Sequence, residues 1–167
     1  MTLRDDPSLY GTNVNLLPIR GDDNQLIVNW RNSPRVHDNL FTKNYITIEG
    51  QEAWYVAYQS DPEQLRLIIE IKDGPVGCCG LTDIYDGSAD LTIFIGEESA
   101  LKRGVAGEAL DLLLGYAHKI MGLHTIYAEV FADNSSAICL YISRGFLIAG
   151  MGAPRKGRKV VVLEWEA

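Results

Sequence analysis

Three stretches of this chain carry groups suited to chemistry. The first is Lys102-Arg103-Gly104-Val105-Ala106-Gly107-Glu108, which opens a run where Val105, Ala109, Leu112, Leu113, Tyr116, Ala117 and Ile120 recur at helical spacing. Gly104, Ala106 and Gly107 leave backbone N–H groups open to close approach. A helix N-terminus with Lys102 and Arg103 beside it favours an anion, and the stretch reads as a cradle for a pyrophosphate. It is neither a Walker loop nor Gly-x-Gly-x-x-Gly, and a glycine-rich entry to a core helix that binds nothing has the same outward form. The second stretch is a strand over residues 125–130, in which alternation places Tyr127 and Glu129 opposite Ile126, Ala128 and Val130. The third is a helix that Asn134 begins and Gly145-Phe146 ends. Tyr141 follows Asn134 by about two helical turns, on roughly one face. Asn134 also reads as a plain helix cap, and Tyr141 as a core tyrosine packed on Phe146.

Arg-Gly-x-Ala-Gly-x-Ala-Leu at residues 103–110, then Asn-x-x-Ala-x-x-Leu-Tyr-x-x-x-Gly-Phe at residues 134–146, form a pair of motifs with a strand between. In that order the pair resembles the GNAT superfamily of acetyl-CoA-dependent N-acetyltransferases, over roughly residues 16–167. One departure is Leu101, where the family often has Gln or Arg; Arg103 stands close enough to supply the charge. The resemblance implies an α/β GNAT fold: a mixed sheet of about seven strands, helices on both faces, and a V-shaped splay between the fourth and fifth strands. Those strands are residues 89–95 and 125–130.

Acyl transfer from a thioester to an amine needs a neutral amine, a stabilised carbonyl oxygen and a departing thiolate. The resemblance implies that acetyl-CoA binds with its diphosphate on Lys102, Arg103, Gly104, Val105, Ala106, Gly107 and Glu108. Backbone groups at Phe94 and Ile95 would serve the carbonyl and the pantetheine amides, and Asn134 would hydrogen-bond the cofactor arm. Tyr141 would be the general acid toward sulfur, within a ternary complex in which the amine attacks directly. Glu129 is the candidate base, with Asp90 in the partner strand as the second; each also reads as a solvated strand carboxylate.

The first third of the chain bears on which amine is acetylated. Leu-Pro-Ile-Arg, Trp30-Arg31-Asn32-Ser33-Pro34-x-Val36 and Trp54 resemble two branches: aminosugar N-acetyltransferases of nucleotide-linked sugars, as in the pseudaminic acid pathway, and ribosomal-protein N-terminal acetyltransferases. The sugar branch is the closer match. In it Arg31 would contact a diphosphate, Trp30 or Phe41 would stack on a base or sugar face, and Asn32 and Asp90 would complete the acceptor side. Trp30 as a core anchor and Arg31 as a surface ion pair is the structural alternative. Aminoglycoside or polyamine acetylation stays open, as does a non-catalytic acyl-CoA sensor, against which Glu129, Asn134 and Tyr141 count.

The remaining elements must position these groups. Residues 1–13 read as a flexible arm with Asp-Asp-Pro and Tyr-Gly turn signals, and 14–167 as a single domain. A strand is expected over residues 14–20, then a helix capped by Asp22 or Asp23 that ends before Pro34. A loop with His37, Asn39, Phe41 and Tyr45 leads to a second helix over 48–59, capped by Thr47. Strands over 65–72 and 76–84 are joined by Asp73-Gly74-Pro75, and strands over 146–151 and 159–165 close the chain.

With 167 residues and a formal charge of −7, the chain suits one well-cored domain and lacks the basic footprint of a nucleic-acid binder. No tract is long enough to span a membrane, and the first residues lack a signal-peptide apolar run. Three histidines are too scattered for zinc, so no metal is expected. Three cysteines without pairing signals read as buried reduced thiols, with Cys78 and Cys79 on opposite faces of a strand, and suggest the cytoplasm. The partners expected are a small-molecule amine and, through apolar surface on the last strand, a second copy of the chain; monomer and homodimer are both open.

Overall fold

The computed structural model describes residues 4–167. A single eight-stranded sheet runs in the order β1-β2-β3-β4-β5-β6-β8-β7. Its strands are β1 (Leu9–Tyr10), β2 (Asn15–Pro18), β3 (Leu65–Ile71), β4 (Gly74–Tyr85), β5 (Ser88–Ile95), β6 (Thr125–Phe131), β7 (Leu147–Arg155) and β8 (Arg158–Glu166). The helices are α1 (Asn24–Asn32), α2 (Pro34–His37), α3 (Ile48–Tyr58), α4 (Val105–Lys119) and α5 (Ser135–Ser143). Every neighbouring pair is antiparallel except β5 and β6, which α4 connects as a crossover.

Alternation along the central strands builds a core on each side of the sheet. Leu67, Ile69, Cys79, Leu81 and Leu91 face α4, whose Ala109, Leu110, Leu113 and Ala117 are fully buried against them. Ile68, Cys78 and Phe94 point the other way, onto Ile27, Trp30 and Trp54 of α1 and α3. The adjacent cysteines do lie on opposite faces. Cys139, expected to be buried, is instead exposed on the outer side of α5, because that helix turns Tyr141 inward.

β5 and β6 pair at three positions only: Ser88 with Thr125, Ala89 with Ile126 and Asp90 with Tyr127. Beyond Asp90 they diverge. β5 stays in register with β4 as far as Gly77–Ile95, and β6 with β8 as far as Phe131–Val160. The expected splay is therefore present, with unpartnered strand edges on both sides of the gap.

Several expectations are corrected. Of the arm expected over residues 1–13, residues 4–13 are not loose, and residues 1–3 lie outside the described residues. β1 pairs with β2, and the Arg4 guanidinium donates to the backbone carbonyls of Tyr58, Asp61 and Gln64 and sits over the Tyr58 ring. A second clasp comes from α4: Glu108 Oε1 accepts from the N–H groups of Asn13 at 2.7 Å and Val14 at 3.2 Å. The short β1 brings the sheet to eight strands, one more than expected. The loop after α1 contains the helical turn α2, which Pro34 starts at the first helical position. Exposed apolar surface lies on the edge strand β7, at Leu147, Ile148 and Met151, whereas Val160, Val161 and Leu163 of the last strand are buried.

These Glu108 bonds hold its carboxyl below the usual carboxylate range, the Asn13 N–H contributing most. A carboxylate of this kind adds stability above its unfolded pKa and loses it as the pH falls through the folded one. Replacing Glu108 with Ala is expected to lower stability by about 1 kcal/mol at neutral pH, with a smaller loss in acid. Hydrogen exchange should speed up selectively at Asn13 and Val14; unchanged protection there would show that β2 alone holds the turn.

Candidate active site

A cavity of about 800 Å³ passes through the gap between β5 and β6. On one side its wall is the α4 entry and α5: Leu101, Lys102, Gly104, Val105, Ala106, Gly107, Asn134, Ala137, Leu140 and Tyr141. On the other it is α1, α2, the following loop, α3 and the facing strands, including Arg31, Arg35, Phe41, Thr42, Trp54, Arg66, Thr92 and Glu129. Phe94 and Ile95 line the splayed edge between them.

The α4 entry suits a diphosphate. Lys102 and Gly104 both adopt left-handed backbone, with φ of 59° and 75°, and Gly104 stands at the N-cap position with no side chain to cap the helix. The first helical bond runs from Glu108 N–H to Gly104 O, so the N–H groups of Val105, Ala106 and Gly107 have no partner inside the helix. These amides are aimed by the turn and helped by the helix dipole. Two residues expected in this cradle do not line the cavity. Arg103 is exposed and donates to Ser99 O at 3.5 Å, and Glu108 faces away to its clasp on Asn13 and Val14.

On α5, Asn134 Oδ1 caps the helix through Ala137 N–H at 3.3 Å, and its amide nitrogen has no partner among the described residues. The cap and a ligand contact are therefore compatible. Tyr141 is 4% exposed, its ring tilted against Phe146 at 5.1 Å between centroids. Among the described residues its hydroxyl makes no hydrogen bond, although Tyr141 lines the cavity. Burial, reinforced by Cys79, raises its pKa above the ordinary phenol value and keeps the proton on oxygen. The side chain is both core and wall: it packs through its ring and presents a protonated hydroxyl to the gap.

Glu129 stands across that gap. Alternation on β6 turns it away from Ile126, Ala128 and Val130, as expected, and its Oε2 accepts from Arg155 Nη2 at 3.3 Å. Arg155 also lies 4.6 Å over the Phe41 ring, and Phe41 meets Phe131 edge-on at 5.0 Å. The loop after α2 is tied to the β7–β8 turn by Lys156 Nζ to His37 O at 3.0 Å and Arg158 Nη1 to Asp38 O at 2.6 Å. The base candidate thus sits beside a roof that joins the end of α2 and the loop after it to the β7–β8 turn.

Three acceptor-side expectations are corrected. Trp30 is 4% exposed and belongs to the core of α1; its indole packs against Gly96, where a Cβ would come within 2.1 Å of the ring, and its Nε1 donates to Glu97 at 2.7 Å. Asn32 braces the loop, donating to Ile46 O at 2.8 Å and accepting from Ile46 N–H at 2.9 Å. Asp90 does not line the cavity; it lies at the surface near Asp83 and Glu129, and partial desolvation of its carboxyl, then those two charges, push its pKa up. Arg31 and Phe41 do reach the cavity. Arg66 and Arg35 were missed. For Arg66 the signal was present: a charged residue inside the apolar run of β3, on the face opposite Leu65 and Leu67.

Replacing Tyr141 with Phe removes a hydroxyl that faces the cavity and has no hydrogen-bond partner among the described residues, so the melting temperature should hold. Thiol release from an acyl-CoA should fall about 100-fold or more if the hydroxyl supplies the proton. Full retention of rate with an unchanged melt would leave Tyr141 a packing residue.

The family model described as the acetyltransferase (GNAT) domain matches residues 13–147. A spermidine N(1)-acetyltransferase of Vibrio cholerae is 27% identical over 142 residues, covering 82% of this chain and 80% of the relative. The acetyltransferase PseH of Campylobacter jejuni is 23% identical over 134 residues, covering 80% of this chain and 83% of the relative. Among solved structures, the Vibrio cholerae spermidine N-acetyltransferase in complex with CoA and spermine superposes with a TM-score of 0.85 at 22% identity, over 93% of this chain and 96% of that one.

Proposed function

Because the chain belongs to the GNAT acetyltransferase family and is an acetyl-CoA-dependent N-acetyltransferase, we propose that it acetylates a small-molecule primary amine, most closely the amino group of a nucleotide-linked sugar. The supporting observation is the cavity that crosses the sheet with Glu129 on its acceptor side and Tyr141 on the other. Acetyl-CoA supplies an acyl thioester. Val105, Ala106 and Gly107 hold its diphosphate through their free N–H groups, and the unpaired edge of β5 at Ile95 offers a backbone donor to the arm or the carbonyl. Glu129 takes the proton from the amine directly or through one water, and Tyr141 gives its proton to sulfur. The wedge holds both ligands at once, so the amine attacks within a ternary complex.

The sugar reading draws on charge. The cavity is lined by Arg31, Arg35 and Arg66 on the acceptor side, with Glu129 the carboxylate there. An acceptor with several positive charges meets repulsion from these side chains, whereas one joined to an anion meets attraction. A polyamine acceptor is the second reading, favoured by the spermidine acetyltransferase relative that aligns over most of the chain.

Thiol release from acetyl-CoA should be measured with an amino-sugar nucleotide, spermidine and an N-terminal peptide. The nucleotide sugar is expected to give the highest kcat/KM; a preference for spermidine would replace the first reading with the second. No release with any amine, despite tight CoA binding, would favour an acyl-CoA sensor. With the active acceptor, Glu129→Gln should lower kcat/KM about 100-fold near neutral pH. The deficit should shrink as pH rises toward the pKa of the amine, where the proton leaves unaided. A pH-independent deficit would remove Glu129 from proton transfer.

A further inference from the structure

We propose that Arg31 and Arg66 together form the seat of an anionic group, a phosphate or a carboxylate, on the acceptor substrate. Both side chains line the acceptor half of the cavity and both are half-buried. They arrive from different elements on the same face of the sheet, Arg31 from the last turn of α1 and Arg66 from β3.

The protein leaves both charges uncompensated. Ion pairs occupy Arg4, Arg144, Arg155 and Arg158, and among the described residues neither Arg31 nor Arg66 has one. Their side-chain partners are neutral: Thr42 Oγ1 at 3.1 Å for Arg31, and Thr92 Oγ1 at 3.0 Å and Gln64 Oε1 at 3.2 Å for Arg66. Arg66 also leans toward the Trp54 ring at 5.9 Å. Cys78, within electrostatic reach of both, adds no negative charge, since burial pushes its thiol up to about 12. Asp83 acts on Arg66 only as the smallest of its influences.

Burial lowers the pKa of each guanidinium, and for Arg66 the charge of Arg31 adds to that. Two cations that repel each other in one half-buried site are costly unless something of opposite sign completes them. Their hydrogen bonds to threonine hydroxyls hold the planar groups while leaving further N–H donors free for an oxyanion. The chain as a whole carries a charge of −7, so a pair of arginines without ion-pair partners inside this cavity runs against the global field.

This inference rests on the acceptor lying in that half of the cavity. It is tested by calorimetric titration of the CoA-saturated protein with sodium pyrophosphate and, separately, disodium malonate. Saturating CoA closes the α4 cradle to the probe, and CoA affinity, measured first, tests the acetyltransferase reading on its own. One probe anion is expected to bind and to lose about 10-fold or more in affinity in Arg31→Gln and in Arg66→Gln, with CoA affinity unchanged. Pyrophosphate binding alone assigns a phosphate-bearing acceptor, and malonate binding alone a carboxylate-bearing one. Should Arg66→Gln fail to fold, Arg66→Lys and Arg31→Gln carry the same comparison. No binding of either anion, or equal binding to wild type and both glutamine variants, would overturn the proposal.

Discussion

Two parallel strands that pair at three positions and then part create the constraint from which the site follows. A parallel pair buried in a sheet ordinarily satisfies its backbone groups along its length. Here β4 holds β5 and β8 holds β6, each along the edge away from the gap, and beyond Asp90 and Tyr127 the edges that face it are unpaired. The α4 crossover then enters beside the widened end and delivers its unpaired amides to the same opening. Backbone groups thus line much of the opening, with side chains around them.

Side chains divide the labour by face. The α4–α5 side contributes small residues and the protonated Tyr141 hydroxyl; the α1–α3 side contributes arginines, aromatics and Glu129. On the acceptor side a wall of three arginines stands next to one carboxylate. Sequence relatedness to a spermidine acetyltransferase and this local charge point in different directions.

Much of this was legible in the residues. The helix after Gly104, the alternation that exposes Glu129, and the cap at Asn134 are local patterns, and each appears where its spacing puts it. Long-range partners were not legible. Glu108 sits in the glycine-rich stretch yet serves residues 13–14, some 95 positions away. Trp30 and Asn32 flank Arg31 in one motif, but helical rotation sends the three side chains to a core, a loop brace and the cavity. Arg66 hid in an apolar strand because its importance depends on a face that only packing reveals. The N-terminal segment looked loose because its anchors are backbone carbonyls around the end of α3, which no local pattern announces.

The roof beside Glu129 is fastened in a particular way. Lys156 and Arg158 grip the main-chain oxygens of His37 and Asp38, and every residue type supplies such an oxygen. Substitution in that loop can therefore alter what the acceptor meets without unfastening the loop itself. The fastening is thereby indifferent to which side chains stand at positions 37 and 38.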